Sequence, residues 1–159
     1  MPKPKPPDPH GRPPIAGSAE LGRLLFEMSL LMGLSPAGTD ALAGACNLRG
    51  PADLLCRLQL GGDVEVTQVR PEVLLPIEAR ELSPGGVERL LLMQRALMLE
   101  IGWWLGLSSE GRLQISPLAW IDDAADAVHA LDLGQALGLQ AVRVLRGDDD
   151  TGEFAFTGP

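Results

Sequence analysis

VERLLLMQRALMLEIGWW, from Val87 to Trp104, is the stretch on which the fold turns. Wound at about 100° per residue, Val87, Leu90, Leu91, Leu97, Met98 and Ile101 gather on one side as a core face, with Gln94 in their midst. Glu88, Arg89, Arg95 and Glu100 hold the opposite arc, as a wetted face should. Yet Leu92, Ala96 and Leu99 sit among those charges, with Leu92 and Leu99 seven residues apart and almost stacked. Trp103 and Trp104 follow directly. Either other elements of the same domain wrap this helix, or a second copy covers it through a twofold contact between identical helices. Two leucines and a tryptophan left in water forgo about 1.5–3 kcal/mol each, and apolar patches of that size mark partner surfaces. The sequence favours the homodimer.

Outward from this helix, Ser83 and Pro84 supply its cap and first turn. After it, WWLGL, a Ser-Ser-Glu-Gly turn and RLQIS spell a β-hairpin. Asp122, Asp123 and Asp126 open a last helix, where carboxylates suit the positive end. That helix runs to about Arg146, with a kink or break expected at Gly134 or Gly138. Upstream, LLCRLQLGGDVEVTQV alternates apolar and polar residues. A three-residue loop at Gly61, Gly62 and Asp63 sets Leu60 opposite Val64 and Leu58 opposite Val66, keeping both apolar sets on one side. EVLLPIEA makes a third strand, which Pro76 places at a sheet edge or ends.

Ser18 is positioned to cap a first helix whose apolar face is Leu21, Leu24, Leu25, Met28, Leu31 and Met32, stopped by Gly33 and Pro36. Residues 37–53, rich in Gly, Ala and turn formers, read as loop. The order is helix, three strands, helix, two strands, helix: an α+β chain with an antiparallel twisted sheet of about five strands and three helices. Residues 1–16 hold seven of the fourteen prolines and read as a disordered tail, 17–146 as the folded domain, and 147–159 as an acidic flexible tail in which Phe154 and Phe156 suit a short strand.

At 159 residues and 45% apolar, the chain suits one globular domain with a real core. No window approaches the roughly 18 apolar residues of a membrane span, and the start lacks the apolar core of a secretory signal. A net charge of −8 argues against a nucleic-acid partner. The two cysteines, Cys46 and Cys56, are too few for a disulfide framework and wrongly spaced for zinc, which suits a reduced cytoplasm. His10 lies in the leader and His129 in the last helix, with no metal-binding pattern beside either. Cys56 is on the inward set of its strand and reads as an inert thiol. Gly61-Gly62 and Gly85-Gly86 lack phosphate-loop spacing, and GLSSEG lacks the nucleophile-elbow spacing. No catalytic residue, cofactor or metal is expected. A binding protein is.

CRLQLGGDVEVTQV, VLLPIEARELSPGGVERLLLMQRAL, and LGLSSEGRLQIS followed by an acidic-capped helix together resemble the bacterial type III secretion chaperones of the CesT-like class. The resemblance spans about residues 19–146 and rests on pattern. It implies a homodimeric cytoplasmic protein that binds the non-globular N-terminal segment of a secreted effector and keeps it export-competent for the secretion ATPase. It implies a dimer interface at Leu92, Ala96, Leu99, Trp103 and Trp104, and an effector groove at Leu24, Met28, Leu31, Leu58 and Val66. The Pro-rich leader, the 35–53 connection and the two-glycine last helix depart from the pattern, which leaves room for a broad-specificity, HpaB-type member. The other reading is a regulatory protein-binding module of the same fold, acting on a transcription factor or secretion switch.

Overall fold

Three of the four α-helices among the described residues begin on a residue that satisfies unpaired N–H groups. In the computed structural model, which describes residues 18–50, 54–61 and 67–147, Ser35 caps α2 (Pro36–Ala45), accepting from the Gly38 N–H at 3.2 Å. Ser83 does the same for α3 (Pro84–Ala96), accepting from Gly86 at 3.1 Å. Asp123 accepts from Ala125 and Asp126 at the start of α4 (Ala124–Arg146), where its charge also meets the positive helix end. The first helix, α1, runs Ser18–Leu31.

Five strands form one antiparallel sheet in the order β1-β2-β3-β5-β4: β1 Asn47–Arg49, β2 Leu55–Gly61, β3 Gln68–Glu78, β4 Trp103–Leu107 and β5 Arg112–Pro117. The α+β class and the five antiparallel strands are as the sequence implies. Residues 37–49, expected as loop, instead supply most of α2 and all of β1, so the α-helices number four among the described residues rather than three. The β2–β3 hairpin also differs from the expected register. Leu60 pairs with Val69, Leu58 with Pro71 and Cys56 with Val73, so residues 62–67 connect the strands in place of a three-residue turn. This register brings Val69, Val73, Leu75 and Ile77 under the helices together with Leu54, Cys56 and Leu58, all buried. Burying that longer apolar run outweighs the compact turn. Val64 and Val66 lie outside the described residues, as do 1–17 and 148–159 with Phe154 and Phe156.

Pro76 is neither at the sheet edge nor at the end of a strand. It sits in β3, the central strand, just past the last pair with β2 (Leu55–Leu74) and inside the register shift against β5 between Leu74 and Glu78. A bulge tolerates a residue without an N–H. Arg112 donates twice to the Leu75 carbonyl there, at 3.2 and 3.1 Å, and Arg146 donates to that of Pro76.

The core lies between one sheet face and α1, α2 and α4, with α3 closing the β4 side. Helix α4 is continuous through both glycines. Their function is close approach: a Cβ at Gly134 would lie 3.0 Å from Val73 and 3.1 Å from the Trp103 ring, and one at Gly138 3.2 Å from Leu75. The helix is pressed onto the sheet at these two points, which a larger side chain would prevent.

Candidate functional site

Helix α3 meets the domain along Gly86, Met93 and Leu97, which are buried, with Leu90 and Ile101 half-buried beside them. That contact is rotated from the expected core face, and it leaves Val87, Leu91 and Met98 exposed. For Val87 and Leu91 the cause is that α3 is seated on Gly86 and Met93; for Met98 the end of the helix also contributes. Its last turn, Leu97–Ile101, widens to a π-turn, which Gly102 closes at φ 69° by donating its N–H to the Leu97 carbonyl. A wheel at constant pitch fails across such a turn, and π-turns recur at functional sites. Leu92 and Leu99 are exposed as well, at 59% and 74%, with Ala96 half-buried between them. Five large apolar side chains therefore share an outward surface with Glu88, Arg95 and Glu100. Leu91, Gln94, Arg95, Met98 and Leu99 line a shallow concavity of about 410 Å³ on it. Gln94 lies within it, half-buried, its amide Nε2 3.9 Å from the Met98 sulfur.

Strand β4 continues this surface. Gly102 accepts from Leu118, and Ser108 donates to Arg112, so the even-numbered residues between them are bonded to β5. The backbone groups of Trp103, Leu105 and Leu107 therefore point to the outer edge of the sheet. The two tryptophans part company here. Trp103 is 4% exposed and packs under α4 as a core residue, so its ring is not available to a second copy as the resemblance implied. Trp104, on the other sheet face, is half-exposed and lies across Gly106.

Of the groove residues implied by the resemblance, Leu24, Met28 and Leu58 are buried in the core. Leu31 is exposed, and Val66 lies outside the described residues. What α1 does present is Phe26 and Leu30, one turn apart and more than half exposed, next to Leu31. Residues Arg23 and Glu27 pair along the same helix at 3.3 Å. Phe26 and Leu30 were passed over because they fall off the apolar stripe that seats α1 on the core. Being large, apolar and off that stripe was itself the signal.

Burial pushes the Cys56 thiol up to about 11 and that of Cys46 up as well, so neither is poised as a nucleophile. Burial also raises the Glu72 carboxyl, against the lowering effect of Arg70, Arg57 and a 3.3 Å hydrogen bond from Gln114. Among the described residues, no three His, Cys, Asp or Glu side chains come together as a metal site, and no helix is long and apolar enough to cross a membrane. His129 is exposed on α4.

No protein-family model matches the sequence, and a search of curated proteins finds no match. Solved structures do match. A chain in the crystal structure of the ExsC–ExsE complex is 19% identical, with a TM-score of 0.51 over 81% of this chain and 93% of that one. At that identity the match shows a shared fold. The HopA1–SchA chaperone–effector complex is 21% identical over 82% of this chain and 94% of that one, with a TM-score of 0.49. The heterodimeric ExoU–SpcU complex from the type III secretion system of Pseudomonas aeruginosa is 21% identical over 76% and 93%, with a TM-score of 0.47.

Proposed function

We propose that this chain is a type III secretion chaperone. Two copies pair through the outward face of α3, and the dimer holds the non-globular N-terminal segment of an effector, keeping it soluble and export-competent for the secretion ATPase in the bacterial cytoplasm. The observation that carries the reading is the pair of apolar helix faces left uncovered by their own domain. One is Val87, Leu91, Leu92, Met98 and Leu99 on α3; the other is Phe26, Leu30 and Leu31 on α1. The sequence resemblance and the fold shared with a chain of the ExsC–ExsE complex support it.

The physics fits a holdase. Covering each large apolar side chain is worth about 1.5–3 kcal/mol, so a handful on each face can offset the several kcal/mol that ordering an extended client costs. The outer edge of β4, or of β1 on the far side, offers backbone groups to an extended segment. No bond is made or broken, so no activated nucleophile is required. We assign α3 and Trp104 to the dimer, and Phe26, Leu30 and Leu31 to the client.

Co-expression with a tagged effector N-terminal segment, followed by co-purification, tests this. A stable complex with wild type that Leu30→Asp disperses is expected. Capture of a transcriptional or secretion-switch regulator with no effector bound would support the regulatory reading instead.

A further inference from the structure

Every charged side chain borne by the five strands lies on one face of the sheet, the one turned away from the core. The pairings Arg57–Glu72, Arg70–Gln59, Arg112–Glu78 and Arg49–Leu55–Leu74 put Arg49, Arg57, Arg70, Arg112, Glu72 and Glu78 on that side together. Four arginines against two glutamates make the strands +2 in a chain of −8, so the rest of the chain carries −10. This is a basic face on an acidic protein.

Two tryptophans lie on the same face. The Trp120 ring covers Gly61 so closely that a Cβ there would fall 2.6 Å from it, and Trp104 covers Gly106 in the same way. Each glycine is the condition for the ring to lie flat. Arg70 links the charge to the aromatic surface. Its guanidinium is 4.6 Å from the Trp120 centroid, and its Nε and Nη2 both donate to Gln59 Oε1. Arg57 is paired with Glu110 at 2.9 Å, and Arg112 is committed to the Leu75 carbonyl. Arg70 by contrast is hydrogen-bonded to the neutral Gln59 and feels the charge of Glu72, which is itself buried two residues along the strand, while the tryptophan beside it is still 39% exposed. Tryptophan and arginine are both enriched among the residues that anchor protein interfaces.

We infer that this face, centred on Arg70 and Trp120, docks an acidic stretch of the client's extended segment, a carboxylate meeting the guanidinium and a neighbouring apolar side chain lying on the indole. The inference rests on the chaperone reading and adds the chemistry of the client. Single-stranded nucleic acid would also meet a cation and an indole. A polyanion, however, has to approach the −10 of the remaining surface and needs a track of cations rather than one open guanidinium.

The test is fluorescence anisotropy with the full chain and three labelled probes: an extended peptide alternating Asp with Leu and Ser, the same peptide with Lys for Asp, and oligothymidine. The acidic peptide should bind best and weaken with salt. Arg70→Met, which keeps the packing on Trp120, and Trp120→Ala should each weaken it by roughly tenfold to a hundredfold. Unchanged circular dichroism would exclude unfolding as the cause. Equal or better binding of the Lys peptide or oligothymidine, no binding of the acidic peptide, or indifference to both substitutions would overturn the inference. An effector segment held equally by wild type and Arg70→Met but lost by Leu30→Asp would overturn it while leaving the chaperone reading intact. An acidic peptide bound through Arg70 by a protein that captures no effector would count against that reading alone.

Discussion

Helices α3 and α4 flank the same sheet and use their apolar residues in opposite ways. Ten residues of α4 are buried, from Ala124 to Leu145, and they include two glycines that let the sheet approach. Within α3 only Gly86 and Met93 are buried, while Val87, Leu91 and Leu92 face out, followed by Met98 and Leu99 in the π-turn. Helix α4 completes its own domain, whereas α3 keeps apolar surface to spare, the kind of patch that marks a partner site. The difference separates residues that hold the fold from those that the proposed function assigns to partners.

That separation is testable by what each substitution disturbs. Leu131→Ala, in the buried seam of α4, should cost about 2–5 kcal/mol of stability, read as a lower urea midpoint, because the cavity cannot be refilled. Gly134→Val should cost about 1–3 kcal/mol by forcing Val73 and Trp103 apart. On α3 the double variant Leu92→Glu, Leu99→Glu should behave differently. The single-chain fold should persist with an unchanged circular dichroism spectrum, while self-association weakens at least a hundredfold, taking about 1.5 kcal/mol or more per leucine uncovered. An α3 variant that unfolds the chain would place these leucines with the core and erase the contrast.

Smaller effects address the ends of the helices and the sheet. Asp123→Ala should cost α4 about 1 kcal/mol by leaving the Ala125 and Asp126 N–H groups without their acceptor. Glu72→Gln should act through pH. Burial raises the folded carboxyl above its ordinary value, so Glu72 favours the folded state when protonated, and that contribution is lost as pH rises through the folded pKa. Urea midpoints should therefore move in favour of the variant as pH rises from the acid side towards neutral. A gap between the two proteins that stays constant with pH would show that burial of Glu72 is not felt.

Ser18, expected as a cap, is the first residue of α1 itself, whereas two caps were readable in the sequence because each is a local chemical need: Ser83 with Pro84, and Asp123, stand where their helices begin. So was the β4–β5 hairpin, whose turn residues and alternation agree. The α2 helix was not. Pro36 was read, with Gly33, as a stop for α1 when it opens the next helix behind the cap Ser35, and the Gly- and Ala-rich PAGTDALAGA offers almost no periodicity, since Leu42 alone is buried from it. The β2–β3 register was hidden for another reason. Alternation is satisfied by either pairing, and only the sheet decides that Val69 and Pro71, rather than Val64 and Val66, lie opposite Leu60 and Leu58. Leu92 and Leu99 were identified correctly as outward, since seven-residue spacing survives small errors in pitch. Leu91 and Met98 were assigned to the core because the π-turn and the tilt of α3 onto Met93 and Leu97 lie in the packing, beyond the reach of a wheel.

Sedimentation equilibrium of the wild-type chain and the Leu92→Glu, Leu99→Glu variant tests the central claim most directly. Wild type should show twice the 16.9 kDa of one chain, and the variant, still folded, should show one chain's mass. A wild type that remains a single copy at high concentration would contradict it.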